Sequence, residues 1–432
     1  MARSHSSLAG LASRRPRPGA AWRRVAPAAL ALLGVAAAAR RSSAQVVDFD
    51  LHAALFHEAS PTSAMTVLAP GASLGVTPVE GLRVGVGWEA DIVSGATESV
   101  KAGRLALDPD IVSAASIDDT RHVFTGNLAV ERGPATLAVG YGQASESDYR
   151  SRSITVSAST DLLQRNTQLA LAYARGFDEV CDRANPVTRD PTVRLPLDTS
   201  DGCFTEAPER AVRDVALDTL QVGWTQSWTP VFVTQLVFSG GLQHGFLGNP
   251  YRSVVIGAGG QTAQEHHPEN RARGAVAGRG RYWFRDLDLA VGVGGRAYRD
   301  TWDLLSGSYE LEAEHYLAPW LRVGARARYY HQTGTLFFSD DYTGGEPVLG
   351  PRGQYWTGDR ELSPLHSYLV GAKLVGAWKG GAGRRVGSLF TQLRTVVAVD
   401  FVDTRLEQFT WAGREPDDGL AILTTVGLSG GF

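Results

Sequence analysis

From about residue 47 onward, apolar and polar residues alternate in one segment of the chain after another. In the first segment Val47, Phe49 and Leu51 share one face, and polar residues lie between them. Alternation with a period of two is typical of β-strands that have one apolar and one polar face. The pattern predicts about 16 such strands. In the eighth strand the apolar face changes near Asp218 and Leu220, which predicts a β-bulge or a misplaced boundary there.

The connections between the predicted strands are alternately short and long. Short turns such as Thr77–Gly81 and Ala318–Pro319 follow even-numbered strands, whereas long polar loops such as 95–118, 181–210 and 336–364 follow odd-numbered strands. In outer-membrane barrels the periplasmic turns are short and the loops on the other side are longer. Closure of an even number of strands satisfies every edge hydrogen bond in lipid. We therefore predict an all-β fold, a closed antiparallel transmembrane β-barrel with both termini on the periplasmic side.

The first 44 residues have the pattern of a secretory signal peptide. A cluster of arginines precedes the apolar run Val25–Ala39, and the small residues at 42–44 suit a cleavage site. We predict residues 1–44 as the signal peptide and residues 45–432 as the barrel. An uncleaved membrane anchor is the alternative, although an apolar run of this length that contains Pro27 is short for a membrane span.

The overall composition excludes two classes of protein. After residue 44 no apolar run is long enough for a transmembrane helix, which excludes a helical membrane protein. The mean hydropathy of −0.12 is compatible with a barrel, because lipid-facing and lumen-facing side chains average out. The formal net charge of −3 gives no basic excess that would favour nucleic acid as a partner.

The last predicted strand ends on an aromatic residue. Alternate residues from Leu420 to Phe432 share one face, and most of them are apolar. An alternating strand with a terminal aromatic resembles the signal by which outer-membrane barrels are recognised for assembly. We therefore predict Phe432 as an assembly signal. The predicted location is the outer membrane, and the predicted partners are the barrel assembly machinery, outer-membrane lipid and lipopolysaccharide.

A short motif, Asp91-Ile92-Val93-Ser94-Gly95-Ala96-Thr97, closes the third predicted strand. Together with the chain length and the strand pattern, it resembles an uncharacterised family of proteobacterial outer-membrane proteins, known only as a domain of unknown function. The resemblance implies the location and the architecture, and no activity. The alternative for the motif itself is a strand end at which Asp and Ser side chains bond the local backbone and Gly turns the chain.

Two cysteines, Cys181 and Cys203, lie in one predicted outer loop. An even number of cysteines in an oxidising compartment predicts a disulfide. In the chain-entropy model, closing a loop of this size stabilises the fold by roughly 3 kcal/mol. A redox-active pair is the alternative, but the spacing lacks the C-x-x-C form.

Other motifs that suggest chemistry are weak. Residues 265–269, Glu-His-His-Pro-Glu, contain metal-ligand residue types, but adjacent histidines point apart in an extended chain, which favours a solvated loop. No G-x-S-x-G is present, and the scattered His and Asp residues match no hydrolase spacing. The glycines of 292–295 lie within an alternating strand, which favours lumen or close-packing positions over a phosphate-binding loop. We predict no cofactor, no metal and no enzymatic activity; a barrel hydrolase of lipid or peptide is the alternative.

Charged residues alternate with apolar ones in the predicted strands 269–285, 307–317 and 320–335. Since the last two strands form a hairpin, antiparallel pairing would place Glu312 near Arg326 and Glu310 near Arg328. Apolar residues of these strands would face lipid, so the charges would face the lumen. The predicted lumen-lining residues are Glu310, Glu312, Glu314, Arg322, Arg326, Arg328, Arg279 and Arg281.

Two interpretations of these charges compete. The arginines could line a constriction whose field orders polar or anionic solutes. Alternatively, Glu and Arg neutralise each other in a satisfied polar network, which we favour. We predict a passive function, either diffusion of small polar solutes or a structural and surface-exposed role. A barrel of about 16 strands leaves a channel unless the long loops fold inward.

Overall fold

The computed structural model describes residues 46–59, 64–95, 100–101, 110–111, 119–182, 204, 212–248, 253–256, 261–340, 354–380, 386, 390–408 and 419–432. The predicted signal peptide, residues 1–44, lies outside the described residues. Within the described part of the chain, no helix is long and apolar enough to cross a membrane.

Sixteen of the described strands form one closed antiparallel barrel. Each strand pairs with its neighbours in sequence, and the first pairs with the last. This confirms the predicted closed antiparallel barrel and its strand number. The strands are β1 (Val46–Ala59), β2 (Ala64–Val79), β3 (Leu82–Gly95), β4 (Asp119–Arg132), β5 (Ala135–Ser145), β6 (Tyr149–Leu162), β7 (Thr167–Cys181), β8 (Val212–Thr229), β9 (Phe232–Gly245), β10 (Asn270–Phe284), β11 (Leu289–Asp300), β12 (Leu305–Ala318), β13 (Leu321–Gln332), β14 (Leu365–Lys379), β15 (Gln392–Leu406) and β16 (Gly419–Gly431).

The two ends of the barrel differ in the length of their connections. At the end that we call the turn end, most connections have two to four residues, for example 80–81 and 319–320. At the opposite end, the loop end, long connections such as 182–211 and 333–364 follow odd-numbered strands, as predicted. Three loop-end connections are nevertheless short, 301–304 among them. Two further hairpins, Val100–Lys101 with Asp110–Ile111 and Ser253–Ile256 with Gln261–Gln264, belong to loop-end connections.

The expected irregularity in the middle of β8 is absent from the described pairing. The register with β9 runs unbroken from Val215 to Ser227, and the shift lies at Ser227/Thr229, next to the turn. Asp218 interrupts the apolar pattern because it pairs with an arginine of the neighbouring strand, Arg175, at 3.1 Å. The change of apolar face is real, because Val215 and Leu217 line an interior cavity while Leu220 and Val222 are exposed outside, but it occurs without a bulge.

The outward faces of the strands carry large apolar side chains, many of them more than two-fifths exposed. Aromatic residues mark two levels: Tyr329 and Tyr368 contact each other towards the loop end, and Trp320 stacks on Trp378 at the turn end. Tyr368 and Trp378 are ten residues apart on β14, which is about 34 Å along a strand. At a tilt of about 40° this gives about 25 Å along the barrel axis, the height of the apolar band of outer-membrane barrels.

The barrel closes where β1 pairs with β16. The backbone N–H of Phe432 donates to the carbonyl of Val47 at 3.0 Å. The rings of Phe49, Phe390 and Phe432 lie 5.1–5.7 Å apart and pack together at this seam. The terminal aromatic residue therefore braces closure within the chain, and its role as an assembly signal stays a prediction.

Candidate functional site

A cavity at the loop end shows which face of the sheet is the interior. Its volume is about 530 Å³, and it is lined by side chains of β4, β6, β7, β8, β9 and β10 together with residues of the loop 333–364. Arg121 of β4 and Arg271 of β10 both line it, although several strands separate them around the wall. Strands so far apart in the wall can line one cavity only from the inside of the barrel. Because residues of the loop 333–364 also line this cavity, that loop enters the mouth of the barrel.

The eight residues predicted to line the lumen share one face of β10, β12 and β13. The register places Glu310 opposite Arg328 and Glu312 opposite Arg326. Arg328 lines an interior cavity, which identifies this face of β13 as the inner one. Together these residues form one continuous charged wall, which extends to β15 through Asp400.

The ion pairs do not follow the expected ladder of directly opposed residues. Glu312 binds Arg279 of β10, two strands away. Arg326 binds Asp400 of β15, also two strands away, with Nε–Oδ1 and Nη2–Oδ2 distances of 2.7 and 2.5 Å. The expected placement of Glu312 opposite Arg326 is confirmed by the register, but each of these residues forms its ion pair with a partner two strands away. Each arginine lies flat across the strand next to it and reaches a carboxylate on the strand beyond.

Glycine on the intervening strand makes these long contacts sterically possible. A Cβ at Gly371 of β14 would lie 1.8 Å from Oδ1 of Asp400, and one at Gly75 of β2 would lie 2.6 Å from Oδ2 of Asp48. Asp48 of β1 binds Arg83 of β3 at 2.6 Å, across that second glycine. Because neighbouring strands are about 4.8 Å apart, a side chain between the partners would occupy the path of the guanidinium. We call this arrangement a glycine crossing.

Glu314 of β12 collects three cations. Arg281 and Lys373 both bind its carboxylate, and Arg322 lies 3.7 Å from it. Lys373 reaches it across Gly324, where a Cβ would lie 2.8 Å from the lysine Cε. The carboxylate side chain is only 8% exposed, so the cations compensate its burial. Of the charged wall, this cluster is the part nearest the turn end.

The wall from β2 to β6 has a different character. In its turn-end half most inward positions hold glycine and small polar residues, with Arg83 as a charged exception, and they leave a cavity of about 600 Å³. Its lining includes Gly85, Thr125, Gly140, Ser153 and Thr155. Long, charged side chains are thus fewer on this wall than on the wall from β10 to β15, and open space lies beside its short side chains.

Residues 354–364, which we call the mouth segment, lie across the loop end. Arg360 makes a bidentate ion pair with Glu58 of β1, at 2.6 and 2.8 Å. Gln332 of β13 donates from Nε2 to the carbonyls of Glu361 and Ser363 at 2.9 and 2.7 Å. The segment is thereby fixed both to β1 and to β13.

An apolar cluster anchors the mouth segment from the other side. Leu362 packs with Trp302, Leu304 and Phe337, all less than a tenth exposed. Trp302 donates from Nε1 to the carbonyl of Asn270 at 3.0 Å, which satisfies its buried N–H. Burial of such side chains stabilises the inward loop by about 25 cal/mol per Å² of apolar surface.

Residues 265–269, expected to be a solvated loop, are partly buried beneath this segment. Glu265 and His267 are 3% and 7% exposed, and His267 Nε2 lies 3.4 Å from Glu265 Oε2. Glu265 accepts hydrogen bonds from Thr357 Oγ1 and from the N–H of Gly358 at 2.9 and 3.0 Å. The expectation was wrong for these two residues, because the mouth segment covers them. The described residues contain no group of three or more His, Cys, Asp or Glu that could hold a metal ion.

Comparison with known proteins identifies the family. Residues 23–384 match the family described as "Protein of unknown function (DUF3570)". The chain belongs to this family. The match agrees with the resemblance inferred from the motif at the end of the third strand, and it assigns no activity. No curated protein matches the chain in sequence.

Solved structures with similar folds are outer-membrane proteins. A bacterial polysaccharide outer membrane secretin is 7% identical, with a TM-score of 0.46, over 88% of this chain and 97% of that one. OpdQ of Pseudomonas aeruginosa is 9% identical, with a TM-score of 0.40, over 90% and 98%. A loop-deletion mutant of OmpT from Vibrio cholerae is 10% identical, with a TM-score of 0.41, over 90% and 100%.

The first cysteine of the predicted disulfide, Cys181, lies at the loop end of β7. Cys181 is fully buried, and Cys203 lies outside the described residues. We expect an alkylating reagent to leave the mass of the unfolded, unreduced protein unchanged and to add two labels after reduction. Labelling before reduction would contradict the disulfide. A Cys181→Ser/Cys203→Ser variant, which lacks both thiols, controls for reaction at other side chains.

Proposed function

We propose that this barrel crosses the outer membrane and lets small polar solutes diffuse through its lumen. The outer location is supported by the exposed apolar faces and by the two aromatic levels about 25 Å apart, which fit the apolar thickness that such barrels cross. In this proposal the turn end and both termini face the periplasm, and outer-membrane lipid and lipopolysaccharide surround the wall. The barrel assembly machinery would insert it, using the strand that ends at Phe432.

The main observation in favour of a pore is that the side chains lining the lumen differ in size from one side of the barrel to the other. A neutralised network that filled the cylinder would place long side chains on every wall, but the turn-end half of the β2–β6 wall carries mostly glycine and small polar residues. Cavities of about 600 Å³ and 660 Å³ lie in the turn-end half and beneath the mouth segment, respectively. Barrels of 16 strands are wide enough to keep an aqueous channel. The mouth segment narrows that channel, which restricts it to small solutes.

Single-channel recording in planar bilayers tests the proposal. We expect purified, folded protein to give stepwise currents and to make liposomes permeable to small sugars. Folding is checked independently by heat-modifiable migration on a gel. If the folded protein gives no steps and admits no sugar, a structural and surface-exposed role replaces the pore. Matched liposomes without protein provide the baseline.

A further inference from the structure

Beneath the mouth segment lies a cavity of about 660 Å³ with an unusual concentration of arginine. This volume is within the range of small-molecule sites. The side chains come from β10 to β15 and from the mouth segment, so the cavity lies on the route through the barrel mouth. Its polar and charged lining residues are Arg271, Arg273, Arg296, Tyr298, Ser306, Ser308, Arg328, Tyr330, Gln332, Arg360 and Glu361, with Ser367 and Thr404.

Two of the five arginines are neutralised. Arg271 binds Asp300, and Arg360 binds Glu58. The Asp300 carboxylate also accepts from the hydroxyl of Tyr298 and from the backbone N–H groups of residues 302 and 304, so its acceptor positions are occupied. Asp300 therefore has little hydrogen-bond acceptor capacity left for Arg273, the other arginine of β10 in the cavity.

The other three, Arg273, Arg296 and Arg328, have no ion pair within 4 Å among the residues that the structure describes. Glu310 lies opposite Arg328 in the register, yet it is not one of the described residues that line the cavity. The carboxylate that does line it is that of Glu361. Three unpaired guanidinium groups against one carboxylate leave an excess of two positive charges.

We infer that this cavity is a binding station for small dianionic solutes on their way through the pore. The inference rests on the proposed function. Guanidinium groups bind carboxylate or phosphate through paired N–H donors, and three of them from β10, β11 and β13 converge here. The hydroxyls of Ser306 and Ser308 add donors on the same wall. Two negative charges on the solute match the excess charge of the lining.

For each substitution of a charged residue in the cavity, the direction of the change in ion selectivity can be predicted. With one charge about 8 Å from a permeating ion in water, Coulomb's law gives roughly a twofold change in local ion concentration. Removing one arginine therefore lowers the local chloride concentration and raises that of potassium by about twofold each, so the preference for chloride over potassium falls roughly fourfold. Removing Glu361 raises it by a similar factor. Both effects shrink at about 1 M salt, where the Debye length falls to about 3 Å.

Reversal potentials in a KCl gradient measure this preference. We expect wild-type protein to prefer chloride, Arg296→Gln and Arg328→Gln to prefer it less, and Glu361→Gln to prefer it more. The matched control is Arg299→Gln: Arg299 lies on the same strand as Arg296, faces outward and is 76% exposed, so its loss leaves the reversal potential unchanged. If the three cavity variants keep the wild-type reversal potential while conducting normally, the station does not exist and the pore stands.

Ligand stabilisation tests the station without relying on conduction. A ligand that binds only the folded state raises the unfolding temperature. We expect succinate, but not uncharged succinamide, to protect the wild-type barrel in detergent, and Arg296→Gln/Arg328→Gln to lose that protection. Inorganic phosphate in place of succinate shows whether the site requires carboxylate or only a dianion. If the protein conducts no current but succinate still protects it, the pore is excluded and the binding site stands. If there is neither current nor protection, both the pore and the binding site are excluded.

Discussion

Replacing Gly371 with valine is expected to prevent formation of a stable barrel. The Cβ would lie 1.8 Å from Oδ1 of Asp400, a carboxylate that is 1% exposed and bound to Arg326 by two hydrogen bonds. The carboxylate has to move, and the separated charges then remain in the interior without their partner. Because Asp400 is buried while Arg326 is about two-fifths exposed, breaking this pair costs about 1 to 3 kcal/mol, and the displaced packing adds to that loss.

Urea titration in detergent, followed by tryptophan fluorescence and by heat-modifiable migration, measures the loss. Gly140→Ala is the matched control: Gly140 faces the interior of β5, and a Cβ there would meet its nearest atoms at ordinary contact distances of 3.7 Å or more. Its free energy of unfolding should be within about 1 kcal/mol of the wild-type value, as expected for one added methyl group that makes only ordinary contacts. A folded Gly371→Val protein of normal stability would contradict the glycine crossing.

The ion pair can be separated from the steric effect. Asp400→Leu alone should be strongly destabilising, because it leaves Arg326 without its carboxylate. Asp400→Leu together with Arg326→Leu should recover much of the loss, because removing both members of an interior pair is far less costly than removing one. A double variant as unstable as the single one would show that the loss does not come from the unpaired charge of Arg326.

The architecture could be predicted from the sequence because the membrane constrains every strand in the same way. Each outward position must be apolar and each edge must be paired, so alternation and turn length together define the order of the strands. The short connection around Pro319, for example, determined the register of Glu310 opposite Arg328 correctly. Strand boundaries at loop ends were less accurate, since there the lipid no longer selects apolar residues. β13, for instance, ends at Gln332 and not near residue 335.

The ion-pair pattern could not be predicted, because it depends on side-chain length as well as register. Cross-strand rules consider direct neighbours. An arginine side chain spans further than one strand spacing, and it does so wherever the next inward residue is glycine. The signal is therefore present in the sequence, as Gly292, Gly324 and Gly371 between charged strands, but it becomes readable only once the register of three consecutive strands is known.

The loop contacts at the mouth of the barrel could not be predicted from local sequence patterns either. Residues 265–269 have the composition of a solvated loop, and nothing near them in sequence indicates burial. Their cover comes from Trp356, Thr357 and Gly358, about ninety residues further along the chain. Such contacts depend on two loops of the loop end meeting in space, and neither loop has a periodicity from which the meeting could be inferred.

Reversing the charge of Arg360 is expected to open the barrel mouth. Arg360→Glu replaces a bidentate ion pair with two carboxylates facing each other, in a position where the partners are only 17% and 13% exposed. Losing the pair costs about 3 kcal/mol, which shifts a two-state equilibrium more than a hundredfold. The mouth segment would detach from β1 while Leu362 and Gln332 keep it tethered elsewhere. We expect a larger and noisier single-channel conductance, and faster proteolysis of the segment in the folded protein.

The charge swap Glu58→Arg/Arg360→Glu decides whether the ion pair or a change of packing causes the opening. It restores opposite charges at the same positions, so the small conductance and the protease resistance should return. Since Glu58 belongs to β1 and Arg360 to the loop between β13 and β14, recovery by the swap requires that the two residues meet across the mouth. If the swap conducts like Arg360→Glu, the segment is held by the apolar cluster around Trp302 alone. The single variant with wild-type conductance would instead mean that the mouth segment does not limit the current.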